Sequence, residues 1–292
     1  MNKRFNLTPI QSNLLVFLLF LFLSIVAGWP ILSNLDGIII GLDNDVYINP
    51  WADWWTFRAL SDPNQSLWHT EMMFYPAGAN LAYHSFSHLN TAVSLLLHPL
   101  MGALPAYNFA IWLNYPFIGF SMFLLARYLT KSETGAILAG VSFAFSSHAM
   151  YQSSHPVLLS IWCFPLATLY LLHAIDEEKR SLAVWAGFFV FLGTATSTLF
   201  FFMMIVWFAF FVVYIWFAKA WKRPSLPILV TFAMTSGILT LPLLSPLILD
   251  AISNQNSSFI ISNGESIVQD IFAPITPHWF IWFSRGIYLT FI

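Results

Sequence analysis

Two aspartates, Asp43 and Asp45, are the first residues of this chain whose type and spacing could do chemistry. They follow the first long apolar run, and with Asp53 they place three of the 13 acidic residues within eleven positions. An Asp-x-Asp pair can hold a divalent cation through its carboxylate oxygens, or one member can act as a general base. A solvated turn in a loop would give the same spacing, so the spacing alone leaves both interpretations open.

Histidines form a second candidate set. His84 and His88 lie four positions apart, so they could share one face of a helix and ligate a metal, with Asp45 as a third ligand. We expect His155 on the same side of the membrane. These histidines, when protonated, and Arg285 would suit an anionic phosphate ligand. The alternatives are interfacial hydrogen-bonding groups for the histidines and a snorkelling side chain for Arg285.

A tryptophan-rich helix is predicted directly after the aspartates. Asn49 and Pro50 are typical of an N-cap and a first helical position. Three tryptophans, Trp54 and Trp55 among them, then recur at i, i+3 and i+4, which predicts an amphipathic helix lying on the membrane with Asp53 on or beside its polar side. Trp54 and Trp55 would stack on a sugar ring or a lipid headgroup, or else belong to an interfacial aromatic belt.

The composition indicates an all-α, polytopic membrane protein. The chain is 58% hydrophobic and 8% charged, against roughly 25% charged in soluble domains, and its mean hydropathy is +0.72. The apolar runs are continuous rather than alternating, which favours membrane helices over an outer-membrane barrel. The single cysteine, Cys163, excludes an internal disulfide and a cysteine zinc site. The net charge of −2 gives no indication of nucleic acid, and we expect no nucleic-acid partner.

The eleven Lys and Arg residues cluster, and such clusters mark the cytoplasmic side of a membrane. Counting spans between clusters predicts about seven spans in a helical bundle, with a cytoplasmic N-terminus. The first span is followed by a large outer loop, about 34–104, that carries amphipathic helices and includes a non-spanning helix at 88–104. The predicted spans are about 13–33, 105–127, 134–150, 156–174, two within 183–218 that break at 193–198, and 226–249.

We expect residues 1–292 to form a single transmembrane domain. The segment 271–292 begins outside and turns apolar, but it is interrupted by Arg285 and its apolar part is too short to span. The chain is therefore expected to be cut within a larger membrane protein.

Several stretches carry a family resemblance. An acidic residue after the first span is followed by an aromatic residue and the Trp54-Trp55 pair, and counting back from that pair aligns the acid with Asp45. The chain resembles the GT-C superfamily of polytopic glycosyltransferases, in particular poorly characterised bacterial membrane proteins of that type. The other stretches that resemble it are 74–78, 81–84, 89–90, 106–108, 124–127, 140–146, 270–274 and 277–278.

The resemblance implies an inverting transferase in the bacterial cytoplasmic (inner) membrane, with its first large loop periplasmic or extracellular. It implies a polyprenyl-phosphate-linked sugar as donor and a glycan, a lipid or a protein as acceptor. Membrane lipid is the other expected partner. Asp45 would be the general base or metal anchor, with Asp43 as the alternative. If a divalent cation (Mg²⁺ or Mn²⁺) takes part, the implied ligands are Asp43, Asp45 and His84; otherwise no cofactor is expected.

Two other classes remain open. One is a transporter or flippase of a lipid-linked glycan, and the other is a non-catalytic membrane protein of the same fold. Transporters usually place ionisable groups or broken helices at mid-membrane. The predicted spans are almost free of charge and the acids lie in a loop, which favours the transferase.

Overall fold

The computed structural model describes residues 8–41, 44–84, 86–218 and 222–253. This part of the chain is mostly helical, with one two-stranded antiparallel hairpin and several long apolar helices, as expected for an all-α membrane protein. The elements are α1 (Pro9–Leu32), α2 (Ile48–Ser61), β1 (His69–Thr70), β2 (Ala79–Asn80), α3 (His88–Met101), α4 (Ala103–Trp112), α5 (Asn114–Thr130), α6 (Glu133–Ala144), α7 (Ser147–Tyr151), α8 (Cys163–Glu177), α9 (Arg180–Thr196), α10 (Thr198–Phe217) and α11 (Leu226–Ser253).

The chain divides into two compact units, residues 1–246 and 247–292. The second unit is described only up to residue 253, where it is helical.

Five stretches of the described chain are long and apolar enough to cross a membrane. α9, with 17 residues, is a shorter apolar helix, and α6 has only 12 residues. α6 stops at Ala144 because Ser146 caps a new helix, its hydroxyl accepting a hydrogen bond from the Ala149 N–H. The five stretches are Ile10–Leu32, Ala103–Thr130, Pro156–Glu177, Thr198–Phe217 and Leu226–Asp250.

The break predicted within 193–198 is confirmed at Ser197. This residue has extended backbone angles (φ −157°, ψ 135°), and its side chain accepts a hydrogen bond from the N–H of Leu199. Ser197 therefore ends α9 and caps α10. The long uncharged run is two helices because a small polar residue can satisfy the free N–H groups at a helix start.

The helix predicted at 88–104 is present as α3, which ends at Met101. Its 14 residues correspond to about 21 Å, shorter than the roughly 30 Å hydrocarbon core. Gly102, at φ +86°, redirects the chain into α4. That left-handed conformation suits glycine because it has no Cβ.

Close helix packing depends on small residues around Phe20 of α1, which is wholly buried. Gly119 of α5 and Gly140 of α6 both lie against its ring. A Cβ at Gly140 would lie 2.6 Å from the Gly119 carbonyl oxygen and would also meet the ring of Phe20. Small residues let membrane helices approach closely in this way.

Candidate functional site in the 34–104 segment

Helix α2 is buried against the rest of the 34–104 segment rather than lying free on a surface. Trp55 is only 2% exposed and packs with Leu81 and Phe86, and its indole N–H donates to the Ser66 carbonyl oxygen at 3.2 Å. Trp54 is 43% exposed. The prediction that the tryptophans share one membrane-facing surface is therefore wrong, because Trp55 belongs to the interior of the segment.

The start of α2 also differs from the prediction. The helix begins at Ile48, and its N-cap is Tyr47, which makes no side-chain capping hydrogen bond. Asn49 is buried within the first turn instead of capping it. Pro50 is compatible with this start because the first N–H groups of a helix have no intrahelical partner.

The two predicted histidines belong to a continuous array of aromatic rings. The ring of His84 lies 5.6 Å from Trp51 and 5.0 Å from Phe86. Phe86 stacks on His88 at 5.6 Å, and His88 contacts Trp68 edge-on at 5.3 Å. The structure therefore brings both histidines together through Phe86.

His84 and His88 do not share a helix face. His84 has an extended backbone (φ −79°, ψ 152°) before α3 begins, whereas His88 is the first residue of α3. Burial lowers the pKa of His84, and it lowers the pKa of His88 to about 4. A lowered pKa favours the neutral ring while no anion is bound. The expectation that these histidines contact a phosphate stays a prediction.

The chain leading to the aspartates is fixed by Asn108 of α4. Its side-chain carbonyl oxygen accepts from the Ile40 N–H at 2.9 Å. Its amide nitrogen donates to the carbonyl oxygens of Leu35 and Ile38 at 2.8 and 2.7 Å. A single buried amide therefore holds the backbone from 35 to 40.

The backbone of Asp45 lies in a short 3-10 helix, Asn44–Tyr47, directly before α2. The neighbouring Val46 is buried beside Gly41, where a Cβ would meet Val46 and lie 3.0 Å from the Ser154 hydroxyl. The Asp45 segment therefore packs close to the turn that precedes His155. The side chain of Asp45, and Asp43 and Arg285 as a whole, lie outside the described part of the structure.

His155 lies between two 3-10 turns, Gln152–Ser154 and Pro156–Leu158, and its ring is 5.8 Å from Tyr151. The carbonyl oxygen of Pro156 accepts a hydrogen bond from the Asn90 amide of α3 at 3.3 Å. The turn that carries His155 therefore contacts both the Asp45 segment and the start of α3.

A buried amide network extends this connection. Asn90 accepts from the Asn114 amide at 2.8 Å and donates to Ser160 at 3.2 Å. The carbonyl oxygen of Asn114 accepts from the Ser160 hydroxyl at 2.7 Å and from the Trp162 indole at 3.0 Å. These side chains join α3, α5 and the start of α8. Networks in which every group has a partner specify one geometry.

Asp53, expected on or beside the polar side of α2, is 4% exposed and faces α3. The Thr91 hydroxyl donates to one of its carboxylate oxygens, and Ser94 also bonds to it. Ser94 in turn contacts Nε2 of His98 at 3.3 Å. Burial raises the pKa of Asp53 above its ordinary range, and the hydrogen bonds from Ser94 and Thr91 and the nearby His98 oppose that rise.

Some of these polar residues leave a signal in the sequence. Asn90, Asn108 and Asn114 stand within apolar stretches, where an amide is costly unless it is bonded. Asn114 in particular lies inside a membrane-spanning stretch. Their partners lie far away in the chain, so the sequence predicts bonded amides but not which groups they contact.

No group of three His, Cys, Asp or Glu side chains able to hold a metal occurs within the described ranges. The expected ligand set of Asp43, Asp45 and His84 extends beyond those ranges and stays a prediction. His84 itself is packed between aromatic rings. No protein-family model matches the chain, and no curated protein matches it at a significant level.

Proposed function

We propose that the protein is a membrane glycosyltransferase that moves a sugar from a polyprenyl-phosphate donor to a glycan, lipid or protein acceptor. The observation that supports this most is the meeting of three separate stretches: the Asp45 segment, the His155 turn and the start of α3. A buried amide network holds two of them together. A preorganised acidic loop beside apolar helices suits a donor whose reactive bond lies at a membrane surface.

The distribution of charge in the spans supports an enzyme over a transporter. In the five described spans, all Asp, Glu, Lys and Arg residues lie within the last four positions of their span. These residues are Arg127, Asp176, Glu177 and Asp250. Transporters usually place ionisable groups near mid-membrane, and the described spans have none there.

In the proposed reaction, Asp45, or Asp43 in its place, removes the proton from the acceptor hydroxyl as that oxygen attacks the anomeric carbon. The bond between that carbon and the phosphate oxygen breaks, and the phosphate leaves with the electron pair. Arg285 would stabilise the negative charge of the phosphate. The implied metal ligands Asp43, Asp45 and His84 extend beyond the described residues, and the proposed step is written for the protein's own side chains. His84, His88, His155 and the exposed Trp54 would contact the sugar or the lipid headgroup.

The finer topology is part of the same proposal. We place about seven spans in the bacterial cytoplasmic membrane, with the N-terminus inside and the 34–104 segment outside. The polyprenyl-phosphate sugar then reaches the 34–104 segment from the outer leaflet. Proteolysis from either side of sealed vesicles, with sites inserted near Asp36 and near Lys179, tests this orientation.

The reaction class is tested by deleting the gene and profiling the glycans of the cell surface by mass spectrometry. A transferase predicts that one sugar disappears and returns with the wild-type gene. The purified protein, in detergent, is then mixed with lipid extract and acceptor from the deletion strain. A transferase restores the sugar there, whereas a flippase does not, because detergent removes the two sides of the membrane. An unchanged glycan profile would contradict the proposal and favour a non-catalytic role.

A further inference from the structure

Asp53 is a buried acid that the proposed reaction does not use. It is 4% exposed, and no ion pair within the described ranges includes it. The nearest basic side chain on α3, His98, contacts Ser94 rather than the carboxylate. Arg58, one turn further along α2, lies over the Trp54 ring at 5.7 Å. A buried carboxylate without a cation costs several kcal/mol, so this site needs a positive charge or a proton.

The hydrogen bonds of Asp53 satisfy only one side of the carboxylate. Thr91 donates to Oδ1, and Ser94 also bonds to the group. The second oxygen, Oδ2, is buried and has no hydrogen-bond partner among the described residues. An ionised carboxylate oxygen only accepts, so Oδ2 needs a donor or a cation, and the uncompensated buried charge favours a cation.

Two further oxygen atoms near Asp53 are also buried without a hydrogen-bond partner among the described residues. Oδ1 of Asn49, one turn earlier on the same face of α2, is buried and has no hydrogen-bond partner in the described chain. The hydroxyl of Tyr107, on α4, is also buried without one, and Tyr107 is close enough to interact electrostatically with Asp53. Helix α4 packs against α2. Buried oxygens without a hydrogen-bond partner are uncommon in folded proteins, and three of them, one from Asp53 itself and two from its neighbours, indicate a shared ligand.

The atom types and the charge of the groups around Asp53 indicate which class of ligand they would bind. All the candidate ligand atoms are hard oxygens, which suit alkali and alkaline-earth cations rather than soft metals. The set carries a single negative charge. A monovalent cation neutralises it, whereas a divalent cation would leave a buried positive charge.

We propose that Asp53 is the anionic ligand of a buried monovalent-cation site between α2, α3 and α4, completed by oxygens of Asn49, Thr91, Ser94 and Tyr107. Sodium is the probe that tests it. The site joins α2, which directly follows Asp45, to α3 and α4, so a bound cation fixes how these three helices pack. It does not depend on the transferase proposal.

The test is equilibrium binding of radioactive Na⁺ to the full chain, purified in detergent, at neutral pH in choline chloride of constant ionic strength. We expect saturable binding of one ion per chain. Asp53→Asn abolishes that binding, because the anionic ligand is lost while the shape is kept. Asp36→Asn is the matched control, since Asp36 is an exposed carboxylate of the same segment, and it leaves binding unchanged.

Two milder variants keep the test decisive if Asp53→Asn does not fold. Thr91→Val and Tyr107→Phe each remove one hydroxyl with little change of shape, and each weakens sodium affinity by about tenfold or more. Absence of saturable binding by the wild type overturns the proposal and leaves a protonated Asp53 in its place. Binding that is unchanged in Asp53→Asn, or in both milder variants, also overturns it.

Discussion

Two regions of this protein are held together by different kinds of interaction. Around the start of α3, α5 and the turn at His155, buried side-chain amides bond to one another across the chain. Between α8, α9 and α10 the interior is apolar, with Leu171, Leu172 and Ile175 at its centre. Apolar packing tolerates small rearrangements, whereas an amide network tolerates few. The amide region therefore fixes the geometry of the candidate site, while the apolar region supports it.

Asn114→Leu breaks the amide region and has the largest expected effect. It leaves the Ser160 hydroxyl and the Trp162 indole without their acceptor, and the Asn90 oxygen without its donor. We expect a loss of about 3–5 kcal/mol in the free energy of unfolding. The measurement is the thermal midpoint in detergent, together with glycan transfer at equal protein level, which should fall as well. Retained transfer by a folded Asn114→Leu protein would remove the distinction between the two regions.

Leu171→Ala is the matched change in the apolar region. Leu171 is fully buried, so its truncation leaves a cavity and costs about 3 kcal/mol. The thermal midpoint should drop, but glycan transfer per folded molecule should stay close to wild type. A large loss of transfer from the folded variant would show that the apolar region also positions the site.

His88→Phe tests how the burial of His88 affects the pH dependence of stability. The His88 pKa is about 4 in the fold because of burial, below the ordinary value of 6.5. A lowered histidine pKa means that the unfolded chain binds the extra proton first, so stability is lost as the pH falls from about 6.5 toward 4. His88→Phe should remove up to about 3 kcal/mol of that acid sensitivity. Thermal midpoints at a series of pH values measure it, and equal slopes in both proteins would contradict it.

Asp53→Asn has the smallest expected effect on stability, and it has the opposite sign. In sodium-free buffer the raised pKa of Asp53 favours its protonated form in the fold. Stability is then greatest below the ordinary pKa of the carboxyl and decreases as the pH rises through the raised pKa. The amide variant escapes that loss, so at alkaline pH it should have a slightly higher thermal midpoint than the wild type. A less stable variant in the absence of sodium would contradict this account of the buried charge.

The sequence predicts local features well where one residue type decides them. The break at Ser197 follows from a short polar stretch inside an apolar run. The charge clusters predict that the helix at 88–104 does not span, and α3 has only 14 residues there. The predicted span 134–150 extends past the end of α6 at Ala144, because the apolar run continues and only the capping hydroxyl of Ser146 marks the change. The count of about seven spans stays a prediction.

The burial of Asp53 and Trp55 could not be predicted from periodicity. A helical pattern identifies the faces of one isolated helix, whereas α2 is covered on more than one face by distant segments. The same limit applies to the amide network, whose partners are up to 70 positions apart. Long-range contacts, rather than local propensity, decide these parts of the site.

The most direct test of the account concerns Asp45 itself. The deletion strain is complemented with Asp45→Asn or, as a control, with Asp36→Asn, an exposed aspartate of the same 34–104 segment. Glycans are profiled at equal amounts of membrane-inserted protein. The account predicts that Asp36→Asn restores the missing sugar and that Asp45→Asn does not. Full restoration by Asp45→Asn would contradict the role of Asp45 as base and would transfer that role to Asp43 or to no residue of this segment.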